Sequence, residues 1–250
     1  MRPALADLLA YLGEMGYGDV YLNRPRAATA PPLQPAQAVE DIPFEAPPVA
    51  LPVELDGEAM GRAGELAVLA AVAAGCTRCR LSEGRTKVVF ASGNPAADLM
   101  FVGEGPGADE DRQGLPFVGA AGELLTRIIQ AIEMTRDEVY IANVVKCRPP
   151  GNRDPQPDEV AACRGYLDKQ IALVRPKILV ALGKVAAQTL LGNDSPIGRM
   201  RGQWFRVKGI PTMVTYHPAA LLRNAALKRP TWEDMQRVRD LLRSGDFASV

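Results

Sequence analysis

The residues able to do chemistry are few and widely spaced. Four cysteines occur: Cys76 and Cys79 with two residues between them, Cys147 after a gap of 67, and Cys163 after a further 15. His217 is the only histidine. Four acids, Glu104, Asp109, Glu110 and Asp111, crowd the segment GEGPGADEDRQGLPFVG (103–119), which also carries Gly103, Gly105 and Gly107 and an aromatic, Phe117. Asn143 lies inside the apolar run EVYIANVVKC (138–147).

Each feature has a chemical and a bland reading. A Cys-x2-Cys pair in a reducing compartment is a redox pair or part of a metal site. Structural zinc normally joins two such knuckles and only one is present, whereas four thiolates arriving from a loop, a strand end and a helix suit an iron-sulfur cluster. Spacing leaves cluster, zinc and unlinked thiols open. Any Ser-His-Asp or Cys-His machinery would have to use His217, which precedes a Pro-initiated helical turn whose amides favour an anion; the bland alternative is a cap or packing residue. Asn143 costs free energy in an apolar strand unless it is hydrogen-bonded, so a satisfied structural amide competes with a ligand-reading one. The glycine-rich segment can present amides to an anion, but no Gly-Lys-Ser/Thr follows and the dinucleotide fingerprint does not fit. A solvated acidic turn with a core Phe is the bland reading there.

These residues must be held by regular elements, and the chain supplies them in alternation. Buried strands are expected at 98–104, 138–147 and 177–183, and a strand pair over 204–218 that turns at Lys208-Gly209. Helices are expected at about 62–75, 122–134, 157–174 and 184–192, with a closing one at 231–245 capped by Thr231. Such alternation predicts an α/β fold with a mostly parallel sheet, helices on both faces and a ligand site beyond the carboxyl ends of the strands. Residues 1–23 predict a short N-terminal helical extension, with Leu5, Leu8, Leu9 and Leu12 at helical spacing, and a surface for an unidentified protein; 24–56 is a Pro- and Ala-rich linker, and 57–250 the folded domain.

Composition narrows the class. With 47% hydrophobic residues and 29 basic against 29 acidic side chains, the chain is globular and offers no net-charge argument for a polyanion partner. Only a local basic face, from Arg78, Arg80, Arg85, Arg148, Arg199 and Arg201, could provide one. Asp7 and Glu14 interrupt the first apolar stretch, and the run AVLAAVAAG (67–75) is far short of the roughly 20 residues of a spanning helix. A cytoplasmic protein without a membrane partner is expected, its cysteines ligands or free thiols rather than a disulfide framework.

The segments GEGPGADEDRQGLPFVG, IANVVKCRPPGNR and HPAALLRN, together with the Cys-x2-Cys and Cys-x15-Cys framework, resemble the family 4 uracil-DNA glycosylases, the iron-sulfur branch found in bacteria and archaea. The resemblance runs from about Cys76 to the closing helix; residues 1–60 fall outside it. It implies a three-layer α/β/α sandwich, a [4Fe-4S] cluster on Cys76, Cys79, Cys147 and Cys163, and a monomer. The activity it implies is hydrolysis of the N-glycosidic bond of uracil in single- or double-stranded DNA, leaving free uracil and an abasic site for base excision repair. In that reading Phe117 is the floor of the base pocket, Asn143 reads the uracil edge, His217 donates to uracil O2, and Leu221 and Arg223 act as wedge and clamp on the DNA. Other uracil glycosylases place an Asp where this chain has Gly105, so Glu104, Glu110 and Asn152 become the candidates for orienting water, with Glu110 also closing the C5 side against thymine. Asn224-Ala225 stands where the family often has Asn-Pro. A reading from another class is a non-catalytic or covalent uracil-DNA-binding module of the same fold. The branch that bonds to its substrate carries an added basic, His-containing loop, and this chain has neither that insertion nor a second His.

Overall fold

The computed structural model describes residues 61–250. The expected helix at 3–15 and linker at 24–56 lie outside the described residues. The helices are α1 (Arg62–Ala74), α2 (Leu81–Gly84), α3 (Ala108–Gln113), α4 (Ala120–Ala131), α5 (Pro157–Val174), α6 (Lys184–Leu191), α7 (Ile197–Met200), α8 (Pro218–Arg223) and α9 (Lys228–Ser244). Six strands, β1 (Ser92–Gly93), β2 (Leu99–Gly103), β3 (Tyr140–Asn143), β4 (Ile178–Leu182), β5 (Trp204–Val207) and β6 (Ile210–Thr215), form one sheet in the order β1-β3-β2-β4-β6-β5. β3, β2, β4 and β6 are parallel, while β1 and β5 pair antiparallel at the two edges.

The period-2 alternation of the strands sorts their side chains into two cores. Met100, Val102, Tyr140, Ala142, Leu179, Ala181 and Val214 pack toward α1, α5 and α6. Leu99, Phe101, Ile141, Ile178, Val180 and Met213 pack toward α4, α8 and α9 through Leu125, Ile129, Leu221, Trp232 and Met235. Full burial of each large apolar side chain is worth about 1.5–3 kcal/mol, so both faces of the sheet must be covered and the three-layer α/β/α sandwich follows. From β2 the chain moves outward to β3, and from β4 it moves the other way to β6. The crevice at that reversal, beyond the carboxyl ends of β2 and β4, is where such sheets bind ligands.

Four elements differ from their expected bounds or type, and α2, β1 and α7 have no counterpart in the sequence pattern. β3 stops at Asn143 instead of running to Cys147, and Val144 and Val145 donate to the carbonyls of Gly103 and Glu104 at 2.9 and 3.1 Å as the chain leaves the sheet. Residues 108–113, expected as loop, form α3, whose start is fixed by the Gly107 N–H donating to Glu110 Oε2. α4 runs from Ala120 to Ala131 rather than over 122–134. α9 starts at Lys228, so Thr231 is not its cap. Pro230 sits in the first turn, where a missing N–H costs nothing, and Thr231 Oγ1 donates to Leu227 O at 2.9 Å. The β5–β6 turn falls where expected, with Lys208 and Gly209 both at positive φ (52° and 78°).

Candidate active site

The ends of β2, β3, β4 and β6 surround a cavity of about 600 Å³. Glu104, Gly105, Glu110 and Phe117 reach it from the segment after β2, Asn143 and Asn152 from β3 and the turn beyond it, and His217 and Arg223 from α8. The fold thus brings these sequence-predicted residues together; Leu221 does not join them.

Asn143 stands level with Gly103 in the parallel β2–β3 ladder. It is 1% exposed, and its Oδ1 is buried with no hydrogen-bond partner. An unpaired buried acceptor costs about 1–3 kcal/mol, so an orphan facing a cavity points to a ligand that supplies a donor. Gly103 is required at that height, because a Cβ there would run into Asn143 Oδ1 and come within 2.5 Å of Phe117 Cζ. Phe117 is buried and holds a positive φ of 55°, unusual for a bulky residue. The strain is held by Glu110: its Oε1 accepts the N–H groups of Val118 and Gly119 at 2.9 and 3.0 Å, and its Oε2 that of Gly107 at 3.0 Å. Both oxygens of Glu110 are therefore engaged in bracing the loop that presents Phe117.

His217 is the N-cap of α8. Its Nδ1 accepts the Ala219 N–H at 3.1 Å, which leaves the proton of a neutral imidazole on Nε2. Burial, reinforced by the positive charge of Arg223, pushes its pKa down to about 4, so the ring is neutral at pH 7. It lies against Phe117 with centroids 5.5 Å apart and planes tilted by 31°.

Among the cavity carboxylates, Asp109 pairs with Arg112 and Asp154 with Lys184 (3.1 Å). The Glu104 carboxylate has no hydrogen bond or ion pair among the described residues. Burial, aided by Asp154 and opposed by Lys184 and Arg223, raises it to about 7. Asn152, at the exposed rim, has positive φ (55°) and accepts from Arg148 Nε at 2.7 Å. Gly105 has little room for a side chain, since a Cβ there would lie 2.7 Å from Val145 Cγ2.

Two sequence expectations are corrected. Leu221 is 2% exposed and belongs to the core beneath α8, so it cannot enter a base stack without leaving that core; its neighbour Leu222 is 52% exposed. The basic face is smaller than expected: Arg78 stacks on Tyr166 at 4.3 Å, Arg80 pairs with Asp158 and Glu159, Arg85 donates to Cys76 O and Ala74 O, and Arg201 binds buried Asp234. Arg148, Arg199 and Arg223 make no ion pair among the described residues.

The four cysteines line a second, smaller cavity on the α1–α5 side of the sheet, and none of them is in a disulfide. Their sulfurs accept from Arg78 Nε (Cys76, 3.4 Å), from an Arg85 terminal nitrogen (Cys147, 3.3 Å) and from the Lys146 N–H (Cys163, 3.3 Å). Among the described residues no three His, Cys, Asp or Glu side chains converge closely enough to hold a single metal ion. Sequence reasoning missed Lys146, whose only signal was a cation interrupting an apolar run. Burial pushes its ammonium down to about 8, opposed by the neighbouring Cys163.

An aromatic plane, an orphaned amide oxygen at its edge and an imidazole N–H beside it make the cavity a receptor for a planar heterocycle. The uracil DNA glycosylase superfamily matches residues 90–236, and the chain belongs to it. A type-4 uracil-DNA glycosylase of Sulfurisphaera tokodaii is 47% identical over 175 residues, covering 66% of this chain and 80% of the relative. Those of Archaeoglobus fulgidus and Thermotoga maritima are 42% and 43% identical, covering 66% and 67% of this chain and 87% and 90% of theirs. No helix among the described residues is long and apolar enough to cross a membrane.

Proposed function

We propose that this protein hydrolyses the N-glycosidic bond of uracil in DNA, releasing free uracil and leaving an abasic site for repair. The observation that carries the reading is the buried, partnerless Oδ1 of Asn143 beside Phe117. Uracil offers N3–H to that acceptor and O4 to the amide N–H. Cytosine presents an acceptor at N3 and would leave the orphan unpaired, at a cost of about 1–3 kcal/mol.

Uracil stacked in a duplex must first be extruded, at a cost of a few kcal/mol, and caught on Phe117, where stacking is worth about 1–3 kcal/mol. Leu222, exposed on α8, takes the wedge role that buried Leu221 cannot, and Arg223 meets the backbone beside it. As the glycosidic bond lengthens, negative charge grows on uracil O2. The His217 Nε2–H donates there, and a neutral donor already in place favours the transition state over the ground state. The sugar meanwhile becomes oxocarbenium-like, and Glu104 is the uncommitted carboxylate able to stabilise it and to orient the attacking water, with Asn152 at the rim. The covalent alternative lacks the second nucleophilic histidine it needs.

The four-cysteine cavity fits a [4Fe-4S] cluster. Four cysteines lining one space, with N–H donors from Arg78, Arg85 and Lys146 to three of the sulfurs, are the donor set such a cluster takes, whereas structural zinc normally joins two close knuckles and only one is present. Bound, it would clip the segment after α1 to the turn after β3 and to α5; N-glycosidic hydrolysis transfers no electrons. Iron analysis and visible absorbance of the purified protein test this, and release of free base from uracil-containing DNA tests the activity.

A further inference from the structure

Lys146 is 2% exposed, yet it forms no ion pair with a carboxylate among the described residues. Its Nζ donates to the backbone carbonyl of Asn143 and to Gln170 Oε1, each at 2.6 Å. Gln170 is itself fully buried, and its Nε2 donates to Phe90 O at 3.1 Å and Tyr140 Oη at 3.2 Å, which turns its oxygen toward the ammonium. A buried ammonium without a counter-charge is costly, and two hydrogen bonds to neutral acceptors offset only part of that cost. Folding alone therefore gives weak grounds for a lysine here.

Its neighbours supply stronger ones. The Asn143 carbonyl belongs to the last residue of β3, whose amide faces the base cavity. The backbone N–H of Lys146 donates to Cys163 Sγ at 3.3 Å, its side chain lines the cysteine cavity, and Cys147 follows it. The five residues Asn143 to Cys147 thus form a short strap between the two sites, and the Lys146 ammonium folds back along it to grip the end that bears the amide. We propose that Lys146 is a positioning residue that ties the backbone of Asn143 to the cysteine site and so fixes the orientation in which the Asn143 amide reads the base. This rests on the uracil reading given above.

The test uses the full chain and two variants, Lys146→Met, which keeps the length without the donors, and Lys146→Arg, which keeps the charge but not the reach. Iron content, melting temperature, kcat and KM on a uracil-containing oligonucleotide, and inhibition by free uracil are measured for each. At wild-type iron content, Lys146→Met weakens inhibition by free uracil about 10-fold and lowers kcat/KM by about 10- to 100-fold, and Lys146→Arg recovers part of the loss. If Lys146→Met does not accumulate with full iron, Lys146→Arg carries the test, with inhibition several-fold weaker than in wild type. A lysine that only supports the fold would lower melting temperature or iron content while leaving uracil inhibition and KM at wild-type values, and that result overturns the inference. A wild-type chain that releases no uracil overturns the functional reading and this inference with it; wild-type release with unchanged variants overturns this inference alone.

Discussion

At the scale of single residues, the site rests on protonation states that the fold imposes. The Ala219 N–H occupies His217 Nδ1 and burial holds the ring near a pKa of about 4, so His217 is a fixed neutral donor. His217→Ala should remain folded and lose 10²- to 10³-fold in kcat, about 3–4 kcal/mol, as for loss of one oxyanion donor; single-turnover kinetics checks this, and wild-type turnover would contradict it. Glu104 behaves differently. Its carboxyl, raised to about 7 by burial, is protonated in acid and ionised only as pH climbs through neutrality. The single-turnover rate should therefore rise from pH 6 to pH 8, and Glu104→Gln should remove that limb. The same shift bears on stability. A raised carboxyl pKa contributes stability that is complete below the unfolded value and lost as pH rises through about 7. Glu104→Gln should accordingly melt higher than wild type at pH 8, with the gain shrinking below pH 5 in parallel scans. These shifts were not legible in the sequence, which names a Glu and a His but not how deeply each is buried.

At the scale of elements, the alternation of apolar runs made the sandwich and its strand ends readable, and with them Phe117, Asn143 and His217. Where local pattern competed with a specific contact, the contact won. The run EVYIANVVKC promised one long strand, but the chain leaves the sheet after Asn143 as the Lys146 ammonium folds back onto that residue. HPAALLRN contains two adjacent leucines, and the single turn of α8 buries Leu221 and exposes Leu222, a choice only helix rotation settles. The acidic cluster looked like solvated charge or catalytic acids, whereas Glu110 is the brace on which the positive φ of Phe117 depends. Glu110→Ala should leave three N–H groups unpaired, lower the melting temperature by a few degrees, and raise KM at least about 10-fold as the floor of the pocket loosens. Calorimetry and steady-state kinetics read the two effects, and an unchanged KM would remove Glu110 from the account.

At the scale of the whole molecule, the cysteine site lies on the α1–α5 side of the sheet, the base site lies at its strand ends, and the two are joined by the segment after β3. Spacing alone left cluster, zinc and free thiols open, because it cannot tell how far apart the sulfurs stand. Cys147→Ser should remove visible absorbance near 400 nm, deplete iron and lower the melting temperature by on the order of 10 °C; a colourless wild type carrying zinc would contradict the cluster. The orphaned Asn143 amide, on which recognition of the base depends, is open to a single experiment. An oligonucleotide with a single deoxyuridine opposite guanine is incubated with wild type and with Asn143→Ala, free base is quantified, and the matched deoxycytidine duplex is run alongside. Wild type should release uracil and no cytosine, and Asn143→Ala should fall by two orders of magnitude or more while melting as wild type does. Equal release of uracil by the two proteins, or release of cytosine by wild type, would contradict the account.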